Sequence, residues 1–483
     1  MLIQKAKLFC LIGSFILLGQ SRAQENLPPN SVVNLQQCID IAIRNNLQVL
    51  QSNLQMQSSG VYYKQAKDNL LPNISASANQ AENFGRSLNP YSYTYTDEKF
   101  NSGSYGINAG ITLFSGLQIQ NSIRQNALSF DASRMDWQQQ KDAITLNVIL
   151  AYLQVLSSQD LLQISNAQAS VDAKQVERLE IMNKDGAVTL LSTLYDLKGQ
   201  YASDQVAVIN NMNSLETAKI NLFQLLNIPY RRDFSYERIL MNLNAPEYGK
   251  SADSIFQTAL ATLPIVKSVD LKLMASQKAL SVARGAFYPT LSLFGGLSTS
   301  FSSAATASKP TNLITDTSAT SYVNVNNVNH PLISSVQNFT DSKISFSNQF
   351  SNNRYGIVGV QLYIPILNYL RARNNVKLAK INVQNAHYVA EATRNQLQQY
   401  VEQAYQNMIA AFGQYKSYQE QVDAYAESFR SAEIRFNDGV ITSVDYVIAK
   451  NNIDRANTNL TQARYLYIFR TKILDYYQGR LTW

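Results

Sequence analysis

The chain carries one architecture twice, at constant spacing, and this limits its folds more than any other feature. "NKDGAVTLLSTLYDLK" at 183–198 returns as "FNDGVITSVDYVIAK" at 436–450, with Gly186 and Gly439 separated by 253 positions. "SYGINAGITLFSG" around Gly106 matches "IVGVQLYIPILNY" around Gly359 at the same offset. Between these landmarks apolar residues recur every seventh position: Ile123, Phe130, Trp137, Ile144 and Ala151. Adding 253 lands on Val376, Val383, Ala390, Leu397 and Ala404, again all apolar. Five agreements in a row between diverged copies indicate duplication.

A seven-residue apolar period belongs to helices under-wound against neighbours in a left-handed coiled arrangement. Leu117 to Asp185 contains no Pro and predicts one helix of roughly 100 Å at 1.5 Å per residue. A helix that long cannot bury itself within one compact domain and needs partners along its length. The shorter helical stretches run about 35–68 and 189–226 in copy one, and about 252–284 and 442–478 in copy two. Each short pair sums to the length of the long helix in its own copy. Two short helices stacked end to end therefore match one long one.

A second landmark recurs at a different offset. "AKDNLLPNISASA" and "ARGAFYPTLSLFG" place Pro72 against Pro289, 217 positions apart. Pro ends a helix and holds the preceding residue extended, so Pro72 and Pro289 mark helix-to-strand entries. The pattern then alternates with period two: Ile74, Ala76 and Ala78 in copy one, Leu291 and Leu293 in copy two. Partner strands alternate at Ile107, Ala109, Ile111 and at Val360, Leu362, Ile364. Weak alternation over about ten residues suits membrane barrel strands. The two offsets differ by 36, and the extra residues fall in "STSFSSAATASKPTNLITDTSATSYVNVNNVNHPLISS". This Ser/Thr/Asn-rich stretch is expected to be an aperiodic loop on a solvent face. The shorter loop of copy one, "SLNPYSYTYTDEKFNSGS", is rich in the Tyr that forms interfacial girdles.

Composition narrows the compartment. Lys5 and Lys7 precede an apolar run from Leu8 to Leu18, and Ser21-Arg22-Ala23 supplies small residues for a cut before Gln24. Residues 1–23 therefore read as a secretory signal peptide. Cys10 lies inside the apolar run without small residues before it, so no lipoprotein cut is read. Removing Lys5, Lys7 and Arg22 lowers the net charge from +7 to +4, too mild a balance to suggest nucleic acid. Cys38 is then the only thiol, and no intramolecular disulfide is possible. The remaining layout is a first repeat at 24–226 (helix, two barrel strands, long helix hairpin), an inter-repeat linker at 227–250, and a second repeat of the same make-up at 251–483.

The duplicated tip motif has a physical explanation. Gly186 and Gly439 each follow a long helix and can take the left-handed conformation that ends it. Thr189 and Thr442, three residues on, can N-cap the next helix, and Asp445 completes a capping box with Thr442, where copy one has Ser192.

A signal peptide followed by the order Pro, strand, loop, strand, long helix, Gly turn, helix, given twice, resembles the TolC-like outer-membrane factors, also called outer membrane efflux proteins. The resemblance covers essentially the whole mature chain. It implies a mixed, α-dominated fold with a membrane β-barrel, in which three internally duplicated protomers contribute four strands each to one twelve-stranded barrel continued by an α-helical tunnel. It implies an outer-membrane channel reaching into the periplasm of a Gram-negative-type bacterium, a passive export duct of a tripartite efflux pump or type I secretion system. Its implied partners are two further copies, a periplasmic adaptor (membrane fusion) protein, an inner-membrane RND or ABC transporter, and outer-membrane lipid. Asp445 stands where the family places an acidic ring at the closed periplasmic end, and three such carboxylates would favour cations. The second acid found three residues on in many relatives is Ile448 here. Lys184, Asp185, Gly186 and Thr189, with Asp438, Gly439 and Thr442, match the adaptor-contacting tips. The linker "NIPYRRDFSYERILMNLNAPEYGK" resembles the segment around the tunnel waist.

Other classes fit less well. His330 and His387 have no nucleophile-and-acid arrangement beside them, and no GxSxG, HExxH, Walker-type loop or paired-cysteine site is present, so neither an enzyme nor a cofactor or metal site is expected. A periplasmic coiled-coil adaptor or structural rod would explain the heptads but not two strand pairs with matched Pro entries. A stand-alone porin needs more strands.

Overall fold

The computed structural model describes residues 32–88, 93, 95–97, 99–185, 191–232, 234–238 and 249–480. The signal-peptide reading of 1–23, together with Gly186, Thr189 and part of the 227–250 linker, lies outside the described residues. In chain order the elements are β1 (Val32–Val33), α1 (Leu35–Asn45), α2 (Leu47–Asp68), β2 (Asn73–Asn83), β3 (Ser87–Leu88), β4 (Tyr95–Thr96), β5 (Phe100–Ser115), α3 (Gln118–Lys184), α4 (Leu191–Leu226), β6 (Ser235–Tyr236), α5 (Ala252–Thr262), α6 (Pro264–Gly285), β7 (Thr290–Ser302), β8 (Thr306–Val325), β9 (Val328–Lys343), α7 (Phe346–Asn352), β10 (Tyr355–Tyr363), α8 (Arg371–Asn437) and α9 (Ser443–Tyr477).

The duplication is visible residue by residue. Both α3 and α8 are 67 residues long and start 253 positions apart. The pair α5 and α6 repeats α1 and α2 at an offset of 217, down to the break between them. That break corrects the sequence reading, which treated 35–68 and 252–284 as unbroken helices. Pro264 opens α6 and excludes helical geometry at Leu263, whose ψ is 133°. At the equivalent point Asn46 turns to ψ 125°, and its Oδ1 accepts from the backbone N–H of Gln48 at 2.9 Å, capping α2.

The chain divides into two compact units. One comprises residues 1–59, 129–273 and 386–483, and its described residues are essentially helical. Its largest core gathers Val148, Ile149, Tyr152 and Leu153 of α3 with Cys38 and Ile39 of α1, Leu222 and Phe223 of α4, and the parallel strands β1 and β6. The Tyr152 hydroxyl ties this region together, its single proton shared between the carbonyl oxygens of Val33 and Glu237 at 2.9 and 2.8 Å. Short helices do meet end to end. Asn227 beyond α4 donates to the carbonyl of Asn45, and Asn46 donates to that of Leu225, both at 3.0 Å. In copy two, Lys250 before α5 reaches Gln478 after α9, also at 3.0 Å. The ten heptad residues are all buried or half-buried within their units.

The other unit comprises residues 60–128 and 274–385 and is built on a four-stranded antiparallel sheet in the order β10-β7-β5-β2. Both outer strands, β2 and β10, are left as edges. Gly116 (φ +61°) and Leu117 (φ +62°) turn the chain from β5 into α3, and Tyr369 (φ +55°) and Leu370 (φ +56°) do so before α8. The two pairs again lie 253 positions apart. At Gly116 only glycine fits, because a Cβ there would meet the Gly285 carbonyl oxygen at 2.4 Å.

The 36-residue insertion is not an aperiodic loop. It forms a separate two-stranded antiparallel sheet, the hairpin β8–β9, closed by Asn326 (φ +51°) and Asn327 (φ +63°). Two left-handed residues make the turn whose twist matches flanking strands, and Asn tolerates that conformation. The signal was present in "VNVNNVNH", an Asn-Asn pair between alternating residues, and the surrounding Ser/Thr richness masked it.

Candidate functional site

Each long helix ends where its sequence stops supporting one. At the end of α8, Gly439 (φ +70°) takes the left-handed turn. Its N–H reaches the Phe436 carbonyl, and the Val440 N–H reaches that of Arg435 at 2.7 Å. This is the double bond pattern of a Schellman cap. Thr442 then caps α9: its hydroxyl accepts from the Asp445 N–H at 3.2 Å while Asp445 Oδ2 accepts from the Thr442 N–H at 3.3 Å and its hydroxyl at 2.8 Å. Asp445 is exposed, as are Asp438, Gly439 and Thr442, and both hydrogen bonds of its carboxylate go through one oxygen. On the copy-one side Lys184 ends α3, and Asp185 follows in the turn, both exposed. Gly186 and Thr189 fall outside the described residues. Pro72 and Pro289 stand immediately before β2 and β7, in the other unit.

The two hairpins are tied together behind their tips. Arg178 of α3 donates to Asn437 of α8, and Ser443 of α9 donates to Asp196 of α4 at 3.0 Å. Tyr446 is fully buried and stacks on Phe436 with ring centres 4.6 Å apart, among Val176, Leu179, Leu194 and Leu197. A cleft of about 460 Å³ opens beside them, lined by Arg178, Met182, Ser192, Phe436, Thr442 and Val444 among others.

One turn further along α9 is a feature the sequence reading missed. Lys450, only 2 % exposed, reaches three carboxylates: Asp454 at 2.7 Å, Asp204 at 2.9 Å and Asp172 at 3.2 Å. They come from α9, α4 and α3, so one ammonium joins both sequence copies. Its aligned hydrogen bonds go to Asp204 and Asp454, leaving both oxygens of the completely buried Asp172 without one. Burial, which Lys450 only partly offsets, raises the Asp172 carboxyl to about 7. Desolvation also raises Asp454. The Asp454 and Asp204 hydrogen bonds hold Lys450 protonated and push it well above its usual range despite the cost of burial. A signal existed. Continuing the heptad comb past Ala151 by sevens gives Ser158, Ser165, Asp172 and Leu179, placing a carboxylate where an apolar residue belongs.

Elsewhere His387 faces Glu391 at 3.5 Å on the exposed side of α8. No group of three or more His, Cys, Asp or Glu able to hold a metal occurs among the described residues.

The family model for outer membrane efflux proteins matches residues 38–227 and 255–471. The chain belongs to the outer membrane efflux protein family. It is 23 % identical over 394 residues to outer membrane protein TolC of Escherichia coli, covering 75 % of this chain and 71 % of that protein. Its fold matches the outer membrane protein VceC of Vibrio cholerae with a TM-score of 0.71 at 14 % identity, over 92 % of this chain and 96 % of that one. It matches the CmeC outer membrane channel of Campylobacter jejuni with a TM-score of 0.66 at 18 % identity, over 92 % and 85 %. As an outer membrane efflux protein the chain is an outer-membrane duct component extending into the periplasm. Its four-stranded sheet is a protomer's share of a barrel and its paired helices are part of a tunnel. A periplasmic rod or adaptor is not favoured.

Proposed function

We propose that three copies of this outer membrane efflux protein close one twelve-stranded barrel and work with an adaptor protein and an inner-membrane transporter as the exit duct of a tripartite pump. The supporting observation is the four-stranded sheet with β2 and β10 as open edges. Unpaired backbone groups at such edges are not tolerated against lipid, so they must pair with another copy. Three copies at four strands each give a closed barrel.

In this reading the barrel conducts passively and the helical end limits flow. Asp445, exposed at the start of α9, supplies the carboxylate ring that narrows the mouth and draws cations, while also capping its helix. The tip residues Lys184, Asp185, Gly186, Thr189, Asp438, Gly439 and Thr442 are the adaptor's contacts, and Pro72 and Pro289 set the entry of the strands into the membrane. Residues 1–23 act as the export signal, and 24–226 and 251–483 as the two repeats joined by 227–250. Catalysis has no part in it, the family being made up of channel proteins.

Light-scattering mass determination in mild detergent is expected to give three protomers, with discrete conductance in planar bilayers. A stable, non-conducting single subunit overturns the proposal. Affinity purification with identification of co-purifying proteins names the pump: an ABC exporter indicates type I secretion, an RND transporter indicates efflux.

A further inference from the structure

Charge is distributed unevenly along the chain. The segments joining helices to the sheet are 60–72, 113–128, 274–289 and 364–385. Together they hold nine Lys and Arg against a single acid, Asp68, a net +8 in a chain whose total is +7. About one-seventh of the residues thus carry all of the excess positive charge, and the remainder, once residues 1–23 with their +3 are removed, carries a net −4.

The concentration is greatest after β10. Arg371, Arg373, Lys377 and Lys380 open α8 and are all exposed. None of them has an ion-pair partner among the described residues. Arg373, Lys377 and Lys380 are spaced four and three apart and so share one helix face. The equivalents in copy one are Gln118, Gln120, Arg124 and Ala127, so three of the four bases belong to copy two alone. Directly between these bases and the strand lie Ile366, Leu367 and Tyr369, exposed by 93 %, 80 % and 92 %. Tyr369 also keeps a left-handed backbone where copy one has glycine. Leu70, Leu71, Phe287 and Tyr288 are exposed at the other strand entries.

We infer that this junction, with exposed apolar side chains toward the strands and an unpaired basic face on the first turns of α8, binds the anionic phosphodiester head groups of phospholipids in the periplasmic leaflet, a placement that rests on the sheet being a membrane barrel. The order of chemistry along the chain matches the order met on leaving a bilayer. Ile366, Leu367 and Tyr369 sit at the acyl boundary, where aromatic rings with a polar tip belong. Arg371, Arg373 and Lys377 lie within the head-group layer, roughly 5–8 Å deep. Lys380 stands just beyond, inside the screening length of about 8–10 Å. Unpaired Lys and Arg next to a membrane attract acidic lipid. The leaflet follows from topology, because these strand ends continue into the periplasmic helices whereas the opposite ends are joined by β-hairpin loops.

The test uses the full purified channel in detergent, titrated with dioleoyl-phosphatidylglycerol, dioleoyl-phosphatidylcholine, lipid A or inorganic phosphate. Bound lipids are counted by native mass spectrometry at two salt concentrations. The wild type is expected to retain phosphatidylglycerol over phosphatidylcholine by about tenfold, less at high salt. The quadruple variant Arg371→Gln, Arg373→Gln, Lys377→Gln, Lys380→Gln is expected to lose that preference, and the four Arg/Lys exchanges at the same positions to keep it. Equal preference in wild type and quadruple variant overturns the inference. So does a response to inorganic phosphate equal to that of the lipid, or a stronger preference for lipid A, which belongs to the opposite leaflet. Conductance of the same samples in planar bilayers separates the two claims: channels without lipid preference sink the lipid site alone, and the absence of channels in the wild type sinks the duct.

Discussion

Lys450 Nζ stands 3.2 Å from a carboxylate oxygen of Asp172, both side chains are closed off from solvent, and the two residues come from different halves of the duplication. With Asp204 and Asp454 the cluster holds one cation against three acids. Removing one member of a buried charge group leaves its partners uncompensated, which costs far more than the net worth of the group. Lys450→Ala is therefore expected to destabilise the helical unit by about 3–5 kcal/mol. Thermal unfolding followed by circular dichroism at 222 nm reads the loss, and an unchanged midpoint would remove the cluster's structural role.

The same cluster makes stability depend on pH. Asp172 has its folded-state pKa raised to about 7, against about 4 when unfolded. Between those values the folded chain holds a proton that the unfolded chain has released. Its contribution is present in full below about pH 4 and is lost as pH rises through about 7. Wild type is expected to lose stability from pH 5 to pH 8 more steeply than Asp172→Asn, which cannot titrate. Parallel stability–pH curves for the two would refute the assignment.

Asp445 and Thr442 separate capping from conduction. Thr442→Ala removes the hydroxyl that accepts from the Asp445 N–H and is expected to cost about 1 kcal/mol, with conductance retained. Asp445→Ala is expected to raise single-channel conductance or weaken block by divalent cations, because the charge at the mouth is gone. Unchanged values for both quantities in planar bilayers would leave Asp445 as a helix cap only.

The turns before the long helices give a paired test. Gly116→Ala drives a Cβ to 2.4 Å from the Gly285 carbonyl oxygen and 2.6 Å from the Tyr288 Cβ, so the turn must shift and assembly of the channel is expected to fall sharply. Tyr369→Gly, at the equivalent position, removes a left-handed non-glycine residue and is expected to stabilise by roughly 1 kcal/mol. The yield of heat-resistant assembled channel on gels checks both. Equal tolerance of the two changes would contradict the geometry.

Much of this protein is decided by periodicity and spacing alone. The offsets of 253 and 217, the seven-residue comb and the prolines at 72 and 289 locate the long helices and the strands of the four-stranded sheet, because helix length, sheet alternation and helix termination are local properties of the chain. Leu263 shows how near such reading comes: the Pro that breaks its helix is the next residue. The β8–β9 hairpin lay hidden because Ser, Thr and Asn suit loops and solvated strands alike, and pairing distinguishes them. Lys450 and its partners required the folded structure altogether. Asp204 and Asp172 lie 246 and 278 positions before Lys450 in the chain, and each alone is an ordinary charged residue on a helix. Only packing, which takes Lys450 and Asp172 out of water beside the half-buried Asp204 and Asp454, turns three carboxylates and one ammonium into a cross-link, since the energy of a charge depends on what surrounds it and not on its neighbours in sequence.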